Sequence, residues 1–178
     1  MIRLPAAAIG CGLLIAAAAL AGCAGDNTAP AGLPSFYQSL ATTDARLDAG
    51  AAQSMISGYR SNNGLGTVVI DPELMRLAGE QAHAMATRDK LDHDVWRPFQ
   101  ARIRGSHFDA SVAVENIGAG YHTLAEAFSG WRDSPPHRAN MLNRSVTKMG
   151  IAAVYAPQSK YKVFWSLILA SPDEQRRG

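Results

Sequence analysis

Apolar residues recur at helical spacing through most of the chain and alternate with polar residues near its end. The clearest helical segment follows Asp71-Pro72-Glu73, which combines a capping residue, a proline suited to the first helical position and an acidic first turn. Five apolar residues then lie at helical spacing: Leu74, Leu77, Ala78, Ala82 and Met85. This pattern predicts a helix that ends near Asp89 or Lys90, with His83 on its solvent face.

Three shorter helices are predicted from similar signals. Asp48 caps the first of them, and Asn62-Asn63-Gly64 supplies its stop. A second covers residues 98–104. Thr123 and Glu126 form a capping box at the start of the third.

A further helix is predicted to begin at Ser134, a good N-cap that precedes Pro135. His137 then lies in the first turn, where the backbone N–H groups and the helix dipole disfavour a protonated imidazole. A neutral ring is able to accept a proton or a metal ion. The alternative interpretation is a half-exposed histidine on a turn between two helices.

Strands are predicted mainly in the last part of the chain. Short extended segments cover residues 67–70 and 112–117, and two longer strands cover residues 149–155 and 161–170. The last strand is apolar at most positions on both faces, which indicates burial on both sides. Gly150 is interpreted as a point where another backbone approaches closely.

Glu115 has apolar neighbours on both sides in the predicted strand 112–117. The two-residue period of a strand places Glu115 on one face with Ala113 and Ile117, and Asn116 on the other. Because an isolated buried charge is too costly, a carboxylate there must be hydrogen-bonded, paired, bound to a metal ion or protonated. A glutamate at a strand edge that reaches solvent is the alternative.

The N-terminus has the pattern of an export signal. Arg3 precedes an apolar run from Ala6 to Leu20, which is too short and too rich in alanine and glycine to favour a lasting transmembrane helix. The string Leu-Ala-Gly-Cys that ends at Cys23 resembles a bacterial lipobox, so we expect Cys23 to be lipidated and to become the new N-terminus. The predicted organisation is a signal peptide at 1–22, a lipidated N-terminus and flexible tether at 23–46, a folded domain at 47–171 and a polar tail at 172–178.

The tether and the cysteines add two points to this predicted organisation. Phe36, Tyr37 and Leu40 interrupt the tether composition, which leaves two alternatives: a short helical turn that docks on the domain, or a loose tether. The only other cysteine, Cys11, leaves with the signal. The mature domain then has no disulfide and no cysteine-based metal site, so its stability must come from a core.

Charge and context restrict the partners. The chain has 17 Lys and Arg against 15 Asp and Glu, interspersed, which argues against a nucleic-acid partner. We expect a monomer held at a membrane by the lipid on Cys23. Ala24 stands where an aspartate would favour inner-membrane retention, so the outer membrane or periplasmic face is preferred.

Several short sequence pieces occur together in one order along the chain. They are Asn63-Gly64-Leu65, Asp71-Pro72-Glu73-Leu74, Leu91-Asp92-His93, Glu115-Asn116-Ile117, Trp131 with Ser134, His137, Arg138 and Asn140, and the strands with Gly150 and Trp165. Taken together, they resemble the CAP superfamily, also called the SCP domain, in its bacterial form. The resemblance spans roughly residues 47–170, and the order of the pieces makes it specific where any one alone would be weak.

The resemblance implies an α+β fold, a three-layer α-β-α sandwich in which helices cover both faces of a small antiparallel sheet. It also implies a central surface cavity with two histidines and an acidic residue, which correspond here to His93, His137 and Glu115. In several relatives the two histidines hold a divalent metal ion, often zinc, with the acidic residue nearby. Ser134 and Asn116 correspond to positions that line the cavity.

This chain departs from eukaryotic relatives in two respects. They carry a second cavity glutamate where this chain has Ser134, so a two-acid mechanism loses support. They are also usually disulfide-linked, whereas the predicted mature domain has no cystine. Sterol-related or toxin-like activities of those branches are therefore not transferred.

The favoured hypothesis is a non-enzymatic, membrane-tethered binding domain of the cell envelope, whose cavity holds a divalent metal ion weakly and whose surface takes a lipid, peptide or cell-wall ligand. The alternative is a zinc-assisted hydrolase, a peptidase or an ester hydrolase, in which His93 and His137 hold zinc and Glu115 is the candidate catalytic base. Two histidines without a firm third ligand count against it. A third hypothesis pairs Ser134 with His137, but no orienting acid is evident.

Overall fold

The computed structural model describes residues 32–173. The predicted signal peptide, the lipidation site Cys23 and residues 174–178 of the predicted tail lie outside this range. The elements are a 3-10 turn at Ser35–Tyr37, α1 at Ala49–Asn62, β1 at Val69–Ile70, α2 at Pro72–Arg88, α3 at Phe99–Arg104, β2 at Ala110–Ala119, α4 at Leu124–Asp133, α5 at Pro135–Met141, β3 at Lys148–Tyr155 and β4 at Val163–Pro172. Within this range, no helix has the length and apolar character needed to cross a membrane.

Local capping signals start three of the helices where the sequence predicts. The Asp48 carboxylate accepts a hydrogen bond from the first turn of α1, and the Asp71 carboxylate accepts two from the first turn of α2. Thr123 and Glu126 form the predicted capping box of α4. These caps depend on residues close in sequence, which is why the pattern alone identifies them.

The cap of α5 differs from the prediction. Ser134 occupies the N-cap position, but its side chain makes no capping hydrogen bond. Pro135 and Pro136 fill the first two helical positions and have no N–H to donate, which leaves little for a capping oxygen to bind. The predicted side-chain cap is therefore wrong, although the helix begins at the expected place.

The four strands form one mixed sheet in the order β1-β3-β4-β2. β4 pairs antiparallel with both β3 and β2, whereas β1 pairs in parallel with β3. The sheet is antiparallel across β3, β4 and β2, as implied, and the two-residue strand β1 adds a parallel pair at one edge. The reason is the long crossover between β1 and β3, which returns the chain in its original direction.

Helices cover both faces of the sheet and complete the implied α-β-α sandwich. All residues of β4 from Val163 to Ala170 are buried, as the sequence predicts. Trp165 and Leu167 belong to a core cluster with residues of α1, α4 and α5. Ile168 and Ala170 point the other way and pack with residues of α2 and α3.

Gly150 of β3 lies directly beneath the start of α2. A Cβ atom at this position would lie 2.0 Å from the carbonyl carbon of Leu74. The predicted close backbone approach is confirmed, and it allows α2 to pack tightly on the sheet.

The segment before α1 docks on the domain. Phe36 packs against the main core cluster, and Leu40 is buried within it. The Leu40 N–H also donates to the His122 carbonyl oxygen at 2.7 Å. Of the two alternatives for this segment, the docked turn is the one present.

Candidate functional site

Glu115 lies in β2, an outer strand of the sheet, and its side chain is only 1% exposed. Its carboxylate has partners on both oxygens. Arg102 Nη2 lies 3.0 Å from Oε1 and 2.9 Å from Oε2, and Ser166 Oγ donates to Oε1 at 3.2 Å. His93 Nδ1 lies 2.8 Å from Oε2. The expectation that this carboxylate needs partners is therefore met by an ion pair and hydrogen bonds.

Arg102, like Ser166, is one of the residues of this site that the sequence did not predict. Its side chain is fully buried, and besides Glu115 its Nη2 donates to the His93 carbonyl oxygen at 3.1 Å. Its Nε donates to the Arg97 carbonyl oxygen at 3.2 Å. The available signal was helical spacing, because Arg102 shares the inward face of α3 with Phe99 and Ile103.

His93 lies in the loop between α2 and α3, with its side chain 48% exposed. Because Nδ1 faces Glu115, Nε2 is the ring nitrogen left for a ligand. The hydrogen bond to Glu115 raises the pKa of His93 above its usual value, although partial burial opposes this. Gln81 fixes the loop backbone by donating to the carbonyl oxygens of Asp92 at 2.8 Å and His93 at 3.2 Å.

His137 lies in the first turn of α5 and is partly buried. Burial lowers its pKa, and the charge on His93 lowers it further. This direction agrees with the neutral imidazole expected from the sequence, although the expected cause was the helix dipole.

Two asparagines connect α5 to β2. Asn116 Nδ2 donates to the His137 carbonyl oxygen at 3.0 Å. Asn140 Nδ2 donates to Asn116 Oδ1 at 2.9 Å and to the Glu115 carbonyl oxygen at 3.1 Å. Backbone groups on an outer strand need such partners, and these bonds hold α5 against β2.

Arg60 holds the other end of α5. It is almost fully buried, and its Nη1 donates to the carbonyl oxygens of Met141 and Asn143, each at 2.8 Å. A cation at a helix C-terminus satisfies carbonyl groups that the helix leaves free. Both ends of the helix that carries His137 are therefore fixed by buried side chains.

The predicted site residues differ in how closely they come together. Glu115 and His93 are in direct contact, whereas no hydrogen bond or ion pair within residues 32–173 joins the His137 ring to either of them. Asn116 is buried and bonds to the backbone of His137. Ser134 is partly buried, and no hydrogen bond within residues 32–173 joins its hydroxyl to the His137 ring.

Few side-chain atoms at this site are available as ligands for a metal ion. Across the part of the chain that the structure describes, no three His, Cys, Asp or Glu side chains are grouped so that they could hold a metal ion. Both Glu115 oxygens already accept hydrogen bonds. Glu115 therefore acts on its surroundings through these partners and offers no oxygen that is free of a hydrogen bond.

Comparisons with known proteins show which family and which fold this chain resembles. The family model for CAP, the cysteine-rich secretory protein family, matches residues 53–169. A curated relative, the uncharacterized protein YkwD of Bacillus subtilis (strain 168), is 28% identical over 143 residues, which cover 74% of this chain and 53% of the relative. The chain therefore spans about half the length of that relative.

Two solved bacterial structures share the fold. An outer surface protein of Borrelia burgdorferi superposes with a TM-score of 0.66 and 19% identity, covering 74% of this chain and 97% of that one. An extracellular protein containing an SCP domain from Bacillus anthracis gives a TM-score of 0.60 and 22% identity, covering 68% of this chain and 39% of that one.

The family match extends over well over half of the sequence and includes His93, Glu115 and His137. The chain belongs to the CAP family, the cysteine-rich secretory proteins.

Proposed function

We propose that this CAP-domain protein is a non-enzymatic binding module of the bacterial cell envelope. The observation that carries the proposal is the state of Glu115, which is 1% exposed and has Arg102, Ser166 and His93 on its two oxygens. A general base must reach the proton of an attacking water molecule. Glu115 is held behind His93 instead, so its position favours support of a binding site over catalysis.

The proposed ligand contacts are His93 Nε2 and the His137 ring. A carboxylate on the Nδ1 side of a histidine fixes the ring orientation and makes the other nitrogen a better ligand. This arrangement fits a weakly bound divalent cation such as zinc, with Asn116 and Ser134 beside it. When bound, the cation would supply a Lewis-acid contact for an anionic or carbonyl group of the ligand.

The proposed location is the outer membrane or the periplasmic face, where lipid on Cys23 anchors the chain. The lipobox-like string before Cys23 supports this location. Two fold neighbours are described as an outer surface protein and an extracellular protein, which is consistent with export. Labelled palmitate tests the anchor: we expect incorporation into the wild-type protein and none into Cys23→Ser, and continued labelling of the variant would refute it.

Zinc titration by calorimetry tests the site. We expect the wild-type protein to bind zinc and the His93→Ala/His137→Ala double variant to lose binding. Glu115→Gln should weaken binding by about 10- to 100-fold, as is usual for supporting residues. His83→Ala is the control, because His83 is exposed on α2 and should not contribute.

Two results would contradict the proposal. Absence of zinc binding by the wild-type protein, or equal binding by the double variant, would remove the metal site. Hydrolysis of peptide, ester or peptidoglycan substrates that disappears in a folded Glu115→Gln variant would establish the hydrolase instead.

A further inference from the structure

A groove lies between the outward face of α2 and Trp96, which belongs to the loop between α2 and α3. Its volume is about 510 Å³, within the range of roughly 300–1,000 Å³ typical of small-molecule sites. The residues that line it are Glu80, His83, Ala84, Thr87, Arg88 and Trp96. None of the proposed metal-site residues is among them, so the groove is a separate feature of the surface.

Trp96 gives the groove a flat apolar wall. Its side chain is 40% exposed, whereas Trp131 and Trp165 are 1% and 0% exposed. Within residues 32–173 the Trp96 ring stacks on no other aromatic ring, and its N–H makes no hydrogen bond. An exposed indole of this kind offers one apolar face and one polar edge to a ligand.

The helix side of the groove is polar and carries an unpaired positive charge. Glu80 is already paired with Arg76. Arg88 makes no ion pair within the described residues, and His83 and Thr87 add a ring nitrogen and a hydroxyl. A guanidinium that is free in this way is suited to bind a carboxylate through two hydrogen bonds.

These properties exclude several classes of ligand. An acyl chain would cover the polar stripe of Glu80, His83 and Thr87 and leave those groups without partners. An extended peptide would need free backbone groups, and the floor of the groove is a helix whose backbone is internally bonded. An amphipathic helix would need a row of apolar contacts, whereas Ala84 and Trp96 are the apolar residues present.

We propose that this groove binds a saccharide chain that carries carboxylates. The apolar face of a sugar ring stacks on Trp96, its hydroxyls bond to His83 and Thr87, and a carboxylate pairs with Arg88. A second, separate cavity of about 300 Å³ shares Thr87 with the groove and is also lined by residues 156–159 of the turn between β3 and β4.

The test titrates the full-length chain with oligogalacturonate, and in parallel with neutral oligomers of N-acetylglucosamine, while tryptophan fluorescence is recorded. We expect the acidic oligosaccharide to bind more tightly and to change the emission of Trp96, since the other two tryptophans are buried. Trp96→Ala should weaken binding at least about tenfold. Arg88→Met should reduce the affinity for the acidic probe to that for the neutral one.

Leu91→Ala is the matched control, because Leu91 is 46% exposed in the same loop but does not line the groove. It should bind as the wild type does. Binding of neither saccharide, or equal binding by wild type and Trp96→Ala, would overturn the proposal. A loss in Leu91→Ala as large as that in Trp96→Ala would also overturn it, because it would indicate general adhesion of the loop.

Discussion

At the scale of single residues, Arg102 and Glu115 form an ion pair whose side chains are 0% and 1% exposed. Removing one partner leaves the other charge buried without compensation, which typically costs about 3–5 kcal/mol. We therefore expect Arg102→Met to lower the free energy of unfolding by that amount in urea denaturation. Arg104→Met on the same helix should change it by less than about 0.5 kcal/mol, because Arg104 is exposed.

The double variant Arg102→Met/Glu115→Gln separates the contribution of the two charges to stability from the contribution of side-chain packing. With both charges removed, it should recover a large part of the stability lost in Arg102→Met. If instead the losses of the two single variants simply add, the two side chains do not stabilise each other through their charges.

The two histidines give opposite pH dependences. The pKa of His93 is raised above 6.5, so its contribution to stability is complete below pH 6.5 and is lost as the pH rises through the folded-state pKa. The pKa of His137 is lowered from 6.5, so its contribution is present above pH 6.5 and is lost as the pH falls through its folded-state pKa. In the wild-type protein these two opposite dependences of stability on pH partly cancel.

Single variants should reveal each slope. With a chelator present, we expect the stability of His93→Gln to rise with pH through the region below 6.5, because His137 then acts alone. We expect the stability of His137→Gln to fall as the pH rises above 6.5. Urea midpoints measured between about pH 5 and pH 8 check this, and parallel curves for the two variants would contradict it.

The sequence predicts that Glu115 needs partners, but it does not identify them. The requirement follows from the apolar neighbours of Glu115, which are visible in the sequence. Arg102 and Ser166 become partners only after α3 packs on β2 and β4 pairs with β2 in the sheet. The spacing of Phe99, Arg102 and Ile103 indicates an inward-facing arginine, yet it does not say what the guanidinium binds.

At the scale of elements, the contact between α2 and β3 depends on the missing side chain at Gly150. A Cβ there would overlap the backbone at Leu74. We expect Gly150→Ala to destabilise the domain by about 3 kcal/mol or more, because the helix must move away from the sheet. Thermal unfolding measures the loss.

Gly79 in α2 is the matched control. A Cβ at Gly79 would meet nothing within 4 Å. Gly79→Ala should therefore stabilise the helix by about 0.5–1 kcal/mol. If both variants changed stability in the same direction, close packing at Gly150 would not be the cause.

Elements were predictable where their signals are local. The caps of α1, α2 and α4 use side chains within a few residues of the helix start. The parallel pairing of β1 with β3 was not predictable from period and composition, because a two-residue strand carries too little pattern to specify its partner. The missing Ser134 cap has a local cause, the two prolines that follow it, and that signal was present in the sequence.

At the scale of the whole molecule, stability depends on β4, because its side chains pack into the core on both faces of the sheet. Leu167 in the middle of β4 is 0% exposed. Leu167→Ala should cost about 2–5 kcal/mol, because it removes buried surface and leaves a cavity. Val69→Ala on the outer strand β1 should cost far less, since Val69 is 49% exposed, and equal losses in urea denaturation would contradict a central role for β4.

The layered architecture was predictable because helical patterns precede strand patterns and the last strand is apolar on both faces. The position of the site was not, since His93, Glu115 and His137 come from a loop, a strand and a helix that are far apart in sequence. Only the finished sheet edge brings His93 into contact with Glu115 and joins α5, which carries His137, to the neighbouring Asn116. Their grouping therefore entered through family resemblance, and the hydrogen bonds between His93, Glu115 and Arg102 supply its physical basis.

The strand order β1-β3-β4-β2 has a consequence for synthesis, because β4, which lies between β3 and β2, is the last of these four strands along the chain. Until residues 163–172 emerge, β2 and β3 lack their common partner, and a growing chain cannot close its core. Such a chain should remain sensitive to protease in arrested nascent complexes, and it should become resistant once β4 has left the ribosomal tunnel. Early resistance would argue against this order. Late closure would keep the polypeptide unfolded for almost the entire synthesis of the domain, which would suit the export that we propose.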